Sequence, residues 1–338
     1  MNIAFRVDSS DLIGAGHVRR CLELAEKLRK KCDRVIFITK NLNGNFNGLI
    51  KKKNFKVVLI RNVILSNKLI CDFRDTKDAC QKFKINTLVI DHYHLGMNWE
   101  KKIKHHINKL IVIDDFSKKK HYCDLIINNL RHKKLNASKN LTGFKYLIVP
   151  GSFSKKKIKN KLKKITIGTF FGSTDRMNCT ARILKIFSQN KFNHFNFISI
   201  LGKNNKHKET IQKNFGKYRN LHIEKKFIKM DNFFNKIDVL ITVGGVTSFE
   251  ALSSNVECIY VPINHYQKMT CNFLKKKKFS NVLSYNEVFG KSGRQLLINC
   301  LKKISKEKNL LRKKVYLDHL GSKRIANYIL GTKFNKSR

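Results

Sequence analysis

The sequence predicts an α/β protein of two Rossmann-like domains whose parallel sheets face each other across a cleft. Three features point there. Short apolar runs recur along the chain, most of them nearly continuous in Ile, Val and Leu, the mark of strands buried on both faces of a parallel sheet. Stretches of helical apolar periodicity lie between them. The 338 residues suit about two domains of ~150 residues each, and a lysine-rich stretch divides two similar β-α series.

In chain order, the first series places strands at Ile3–Val7, Val35–Thr39, Lys56–Ile60, Thr87–Asp91, Leu110–Asp114 and Leu125–Asn128. The clearest helix is His17–Lys31, where Val18, Cys21, Leu22, Ala25 and Leu28 form one apolar face and Arg19, Arg20, Glu23, Glu26 and Lys27 the other. This gives a first domain over 1–153 and a solvated basic linker over 154–164. A second domain over 165–330 repeats the pattern, with strands at Ile165–Phe171, Phe195–Leu201, Leu221–Ile223, Val239–Val243 and Cys258–Val261. Asp231–Lys236, Gln295–Ile304 and Arg324–Leu330 read as helical, and 331–338 as a loose tail. Doubly wound sheets bind ligands at the carboxyl ends of their strands, so chemistry is expected in the loops that follow strands.

Composition narrows the function classes. No stretch approaches the ~18–20 uninterrupted apolar residues of a membrane helix, and the N-terminus runs into a strand without a signal-peptide pattern. A cytoplasmic protein without membrane insertion is expected. The nine cysteines form no Cys-x-x-Cys pair and are odd in number, which favours reduced thiols over a zinc site or a disulfide framework. Lys+Arg number 71 against 23 Asp+Glu, a net charge of +48. That excess reads either as affinity for polyanions or as compositional bias. Most of the basic residues are Lys spread along the whole chain, Asn, Ile and Phe are abundant and prolines number only 2, as an AT-rich genome would produce. No zinc-finger spacing or aromatic RNA-binding strand occurs, so no specific nucleic-acid partner is expected. Either way, an anionic substrate is attracted.

Four loops carry candidate chemistry. The first runs from Asp8 to His17, between strand and helix. Gly14 and Gly16 permit a tight turn and close approach of a ligand. As a dinucleotide fingerprint it fails, because Arg19 stands where the third glycine belongs. His17, in the first turn of the helix, sits where the dipole disfavours an imidazolium, so it suits a proton acceptor; the bland alternative is a structural histidine. The second is Asp91-His92-Tyr93-His94 at a strand end, with Asp91 and Tyr93 facing the cleft. His92 and His94 could share a metal, but no third ligand pairs with them by spacing. Ile113-Asp114-Asp115 is a similar element. The third, Gly168–Asp175, includes Gly172 and Ser173 and suits contact with phosphate or sugar, or is a plain turn capped by Thr174 or Asp175. In the fourth, Gly244-Gly245-Val246-Thr247-Ser248 precedes a helix whose amides could hold a diphosphate, and Glu250 is placed for ribose hydroxyls or for the helix dipole.

These segments, in this order, resemble the UDP-sugar hydrolases of pseudaminic acid biosynthesis and the related spore-coat polysaccharide proteins. The matching stretches are Arg6–Ser10 with Ile13–Leu22, Val89–Tyr93, Val112–Phe116, Cys123–Ile126 with Asn128, Gly172–Asn178 and Gly244–Glu250. The resemblance implies the two-domain glycosyltransferase B fold. It implies cleavage of UDP from UDP-2,4-diacetamido-2,4,6-trideoxy-β-L-altropyranose, with His17 as catalytic base, Asp91 and Tyr93 beside it, and UDP on Gly245–Glu250. It places Asp8, Gly14, Gly16, Arg20, Gly172, Ser173, Gly244, Thr247 and Ser248 at the substrate. Asn264 and Gln267 stand where the family often has an Asn-Gln pair. Departures are Phe171-Gly172-Ser173-Thr174-Asp175 where the family usually has a Gly-Gly-Ser-Asp turn, Val246 in place of a serine, and Asn264-His265-Tyr266-Gln267 where it often has an Asn-Gln pair; they bear on which sugar is bound and on the level of activity.

The resulting expectation is a monomeric UDP-sugar hydrolase without metal or other cofactor. Water activated by His17 attacks the anomeric carbon opposite UDP, and the C–O bond breaks with inversion. Two other readings stay open: a glycosyltransferase of the same fold using a UDP-sugar donor, and a basic binding protein without catalysis.

Overall fold

The computed structural model describes residues 1–63, 68–116, 120–130, 139–150, 164–189, 192, 195–224, 229–277, 279, 281–307 and 317–333. Of the expected linker only Lys164 falls among these, and of the expected tail only residues 331–333; the rest of both lies outside the described residues. The chain divides into two compact units, Met1–Val149 with Asp318–Arg338, and Pro150–Leu317.

The first unit runs β1 (Asn2–Val7), α1 (Gly16–Arg29), β2 (Arg34–Lys40), α2 (Asn47–Lys52), β3 (Lys56–Ile60), α3 (Lys68–Lys82), β4 (Thr87–Asp91), α4 (Met97–Lys104), β5 (Lys109–Ile113), β6 (Leu125–Asn128) and β7 (Lys139–Thr142). The sheet has the order β3-β2-β1-β4-β5-β6-β7, and its pairs are parallel. Successive residues of each strand point to opposite faces. Ile3, Phe5 and Val7 of β1 pack with Val18, Cys21, Leu22 and Ala25 of α1. Ala4 packs on the other face with Ala79 of α3 and Trp99 and Ile103 of α4. Burying each large apolar side chain is worth about 1.5–3 kcal/mol, and both faces of the sheet contribute. Arg6 sits between those face-one residues and so enters the second face, where it is fully buried. It survives there because Asp8 and Asp72 pair with it.

The second unit runs β8 (Thr166–Phe170), α5 (Cys179–Phe187), β9 (Asn196–Ile200), α6 (Lys208–Phe215), β10 (Leu221–Glu224), α7 (Met230–Lys236), β11 (Val239–Thr242), α8 (Val246–Ser253), β12 (Glu257–Tyr260), α9 (His265–Lys276), β13 (Asn281–Val282), α10 (Tyr285–Phe289) and α11 (Gly293–Glu307). Its sheet order, β10-β9-β8-β11-β12-β13, repeats the winding of the first. Strand order reverses between β1 and β4 in one unit and between β8 and β11 in the other, and such switch points are where doubly wound sheets present ligand sites.

Two strands lack the apolar runs that mark the others. β7 is an edge strand in which only Leu141 is buried, and β13 has two half-buried residues. Chain order groups the last helix, α12 (Gly321–Leu330), with the second domain. In the structure it belongs to the first unit, where Ile325, Ala326 and Ile329 pack in the cluster around α1. Its start fits there because Gly321 lies against the backbone of Tyr146 and Leu147, where a Cβ would collide.

Candidate active site

The site of the first unit is built at the β1–β4 switch point. Val7 and Asp91, the last residues of those strands, are register partners. After β1 the chain makes a tight turn. Ser10 Oγ accepts from the amides of Leu12 and Ile13 at 3.2 and 3.1 Å, and the Gly14 amide donates to the Ser10 carbonyl at 2.7 Å. Gly14 takes φ +80°, a left-handed conformation costly for a residue with a Cβ. The turn delivers Gly16 as the first residue of α1 and His17 as the second.

Three residues on one face of α1, at helical spacing, then converge on Asp91. His17 Nδ1 lies 2.6 Å from Asp91 Oδ1. Arg20 donates through Nε and Nη2 to the two Asp91 oxygens, both at 2.5 Å. Cys21 Sγ donates at 3.5 Å. Asp91 is 1% exposed. Burial alone would push its carboxyl up, but Arg20 and His17 outweigh burial and hold it well below the usual carboxylate range. Ionised, it can only accept hydrogen bonds, so the Nδ1 of His17 that faces it carries a proton. The Tyr93 ring stands edge-on to His17, centroids 4.5 Å apart.

Asp8 and Arg20 were both expected at the substrate. Both are buried and their charged groups are taken up by protein partners. Asp8 holds Arg6 at 2.7 and 2.8 Å, accepts the Lys40 amide at 2.8 Å and meets His92 Nε2 at 3.2 Å. Arg20 bridges Asp91 to Asp115. His92 uses its other nitrogen to accept the His94 amide at 3.1 Å, so both ring nitrogens are engaged inside the protein. Burial, against the pull of Asp8, lowers its pKa.

In the second unit, the loops after β8, β11 and β12 hold the other expected residues. Gly172 has φ +88°, and Ser173 accepts the Asn204 amide through its carbonyl. Asp175 occupies the start of α5, accepting from the Cys179 and Thr180 amides at 2.8 and 2.9 Å. Asn264 caps α9 through the Gln267 amide, and Gln267 Oε1 in turn accepts from Ile263 at 2.9 Å. The helix after β11 differs from these two. Gly245 is its N-cap, no side chain caps it, and its first turn holds no acid. Gly244 has φ +95°, and a Cβ there would collide with Cys271 Sγ. Thr247 is half-buried, whereas Ser248 and Glu250 are buried. Among the described residues no group of three or more His, Cys, Asp or Glu is placed to hold a metal ion, and no helix is long and apolar enough to cross a membrane.

The spacing of His17, Arg20 and Cys21 on one helix was the available sign of a shared partner, but which acid they meet is set by the sheet. The roles of Asp115 and of the buried Arg6–Asp72 pair had no local sign.

The comparisons agree with this architecture. No protein-family model matches the chain. An uncharacterised protein of Methanocaldococcus jannaschii is 29% identical over 299 residues, 82% of this chain; the match spans 59% of that protein's length. The UDP-2,4-diacetamido-2,4,6-trideoxy-beta-L-altropyranose hydrolase of Campylobacter jejuni is 28% identical over 84% of this chain and 100% of that protein. The spore coat polysaccharide biosynthesis protein SpsG of Bacillus subtilis is 22% identical over 80% of each. Among solved structures, MurG of Acinetobacter baumannii superposes with a TM-score of 0.73 at 14% identity, covering 98% of this chain and 99% of that one. The calicheamicin glycosyltransferase CalG4 gives 0.67 at 11% identity, covering 98% and 97%. The chain thus has the two-domain glycosyltransferase B fold and, along 80% or more of its length, is similar in sequence to the Campylobacter hydrolase and to SpsG.

Proposed function

We propose that the protein hydrolyses a UDP-linked 2,4-diacetamido-2,4,6-trideoxy sugar to UDP and the free sugar, with His17 as general base. The observation that carries this is the His17–Asp91 pair at the β1–β4 switch point. Asp91 fixes the imidazole with Nδ1–H turned inward and stabilises the imidazolium that forms when Nε2 takes a proton, the role a carboxylate plays behind a catalytic histidine. Similarity to the Campylobacter hydrolase supplies the substrate class.

In this reading a water gives its proton to His17 Nε2 and its oxygen bonds to the anomeric carbon. The C–O bond to UDP breaks, and its electron pair stays on the β-phosphate oxygen. The leaving diphosphate needs no proton. It is assigned to the uncapped start of α8, where amides and helix dipole favour an anion. The neighbouring helices α5 and α9 are less suited, because Asp175 and Asn264 already occupy their ends. Tyr93 lies against His17 as a wall for the sugar, and Glu250 is assigned to the ribose. The decisive measurement is incubation of the purified protein with the UDP-sugar alone: UDP and free sugar in equal amounts are expected.

The fold supports a second reading, since CalG4, which shares it, is named a glycosyltransferase. There an acceptor hydroxyl replaces water and His17 keeps its place. UDP release that occurs only after an acceptor is added would establish it.

A further inference from the structure

We infer that His121 is a positioning residue for His17, acting from outside the site by clasping the turn Asp114–Phe116. The inference rests on the reading of His17 as the base and extends it to a residue that reading does not use.

His121 is held between two carboxylates. Its Nδ1 lies 2.7 Å from Glu100 Oε1 on α4, and its Nε2 lies 3.0 Å from Asp114 Oδ2 just past β5. The imidazole side chain is 5% exposed and Glu100 is fully buried. With an acceptor on each nitrogen, the ring is satisfied only when both carry protons. Burial opposes that charge, but Asp114 and Glu100 outweigh it and raise the pKa to about 9. The other oxygen of Glu100 accepts the Tyr122 amide at 2.7 Å, so the clasp is fixed at both ends. Lys104, also on α4, pairs with Asp124 at 2.7 Å.

The clasped turn is the backing of the candidate site, and it reaches His17 by two routes. Asp114 Oδ1 accepts the Phe116 amide at 2.8 Å and its carbonyl accepts Asn128 Nδ2 at 2.6 Å, which shapes the turn. On one route Asp115, steadied by the Asn129 amide at 3.1 Å, pairs with Arg20, which pairs with Asp91, which holds His17. On the other, Phe116 packs on Tyr93 at 5.8 Å between centroids, and Tyr93 packs on His17. Removing the cation leaves the buried carboxylate of Glu100 facing the half-buried one of Asp114 without a charge between them, which drives the turn off its position. Arg20, Asp91 and Tyr93 then lose the support that sets the imidazole.

The test is His121→Gln in the full-length protein, read in two ways. The first is steady-state kinetics with the UDP-sugar beside UDP affinity. The second is the NMR resonance of the His17 Nδ1 proton, assigned by its loss in His17→Asn. We expect kcat to fall about tenfold, the size of effect seen for residues along a packed network, with UDP affinity unchanged and the His17 proton signal shifted or broadened. Asp114→Asn is the second variant, which keeps the Phe116 hydrogen bond and serves if His121→Gln does not fold. A folded variant with normal kcat, or one whose lower kcat leaves the His17 signal unmoved, overturns the inference. Failure of the underlying reading is separate and visible: His17→Asn would then retain kcat.

Discussion

His17 and Asp91 stand 74 residues apart in the chain and meet at 2.6 Å through Nδ1 and Oδ1. One comes from the first turn of α1 and the other from the last residue of β4. Their meeting turns an ordinary histidine into an oriented one, with a defined inward nitrogen and a defined outward one.

The first prediction concerns the outward nitrogen. General-base catalysis is typically worth ~10²–10⁴ in rate, so His17→Asn should lower kcat by that order while UDP affinity stays nearly unchanged. Hydrolysis in ¹⁸O-water should place the label in the sugar. Label in UDP would mean attack at phosphorus, and a near-normal kcat would move the base elsewhere.

Asp91→Asn probes the inward nitrogen. The amide keeps the shape of the carboxylate but loses its charge, and it can donate to Nδ1, which selects the wrong tautomer. A fall in kcat of ~10²–10⁴ is expected, the range assigned to a positioned base. Arg20 also loses its main partner, so circular dichroism must confirm that the variant is folded. A folded Asp91→Asn protein with normal kcat would show that the pair is structural only.

Glu250→Ala tests the nucleotide assignment. Loss of one charge-assisted hydrogen bond to ribose should weaken UDP binding by about 1–3 kcal/mol, measured by calorimetry. Glu250 is 1% exposed, so unchanged affinity in a folded variant would make it a core residue of α8 and remove it from the site.

Arg6→Met should destabilise the first unit. It leaves Asp8 and Asp72 buried without their shared cation, and breaking a buried pair costs about 3–5 kcal/mol. A decrease in Tm on the order of 10 °C is expected by calorimetry. Burial opposes ionisation of Asp72, but Arg6 and Lys40 outweigh it and lower its pKa. A lowered carboxylate contributes stability above its unfolded pKa, given up as pH falls through the folded value. The variant should therefore lose part of the acid dependence of the native protein.

The alkaline side should be governed by His121. Its pKa is raised from 6.5 to about 9, so its contribution is complete below pH 6.5 and is lost as pH rises through about 9. Denaturant unfolding from pH 6 to 10 should show this decline in the native protein and a flatter profile in His121→Gln. Equal slopes in both would refute it.

Much of the fold was legible in the sequence because a parallel strand buried on both faces must be apolar at nearly every position. Thr87–Asp91 and Leu125–Asn128, buried at every position, coincide with β4 and β6 residue for residue. β7 was not legible: of its four residues, Lys139 to Thr142, only Leu141 is apolar. Nor was the place of α12, whose apolar stripe says that it must be covered but not by what. The glycine turn before His17 could be read from residue types alone, since tight turns and helix starts are local. The partners of His17, Arg20 and Arg6 could not. Asp91 and Asp115 are carboxylates at strand ends like others in the chain, and only the β1–β4–β5 order, with α1 laid across it, brings them within hydrogen-bond reach. Local propensity and burial are written residue by residue, whereas ion pairs depend on distances of a few ångströms that only the packed sheet sets.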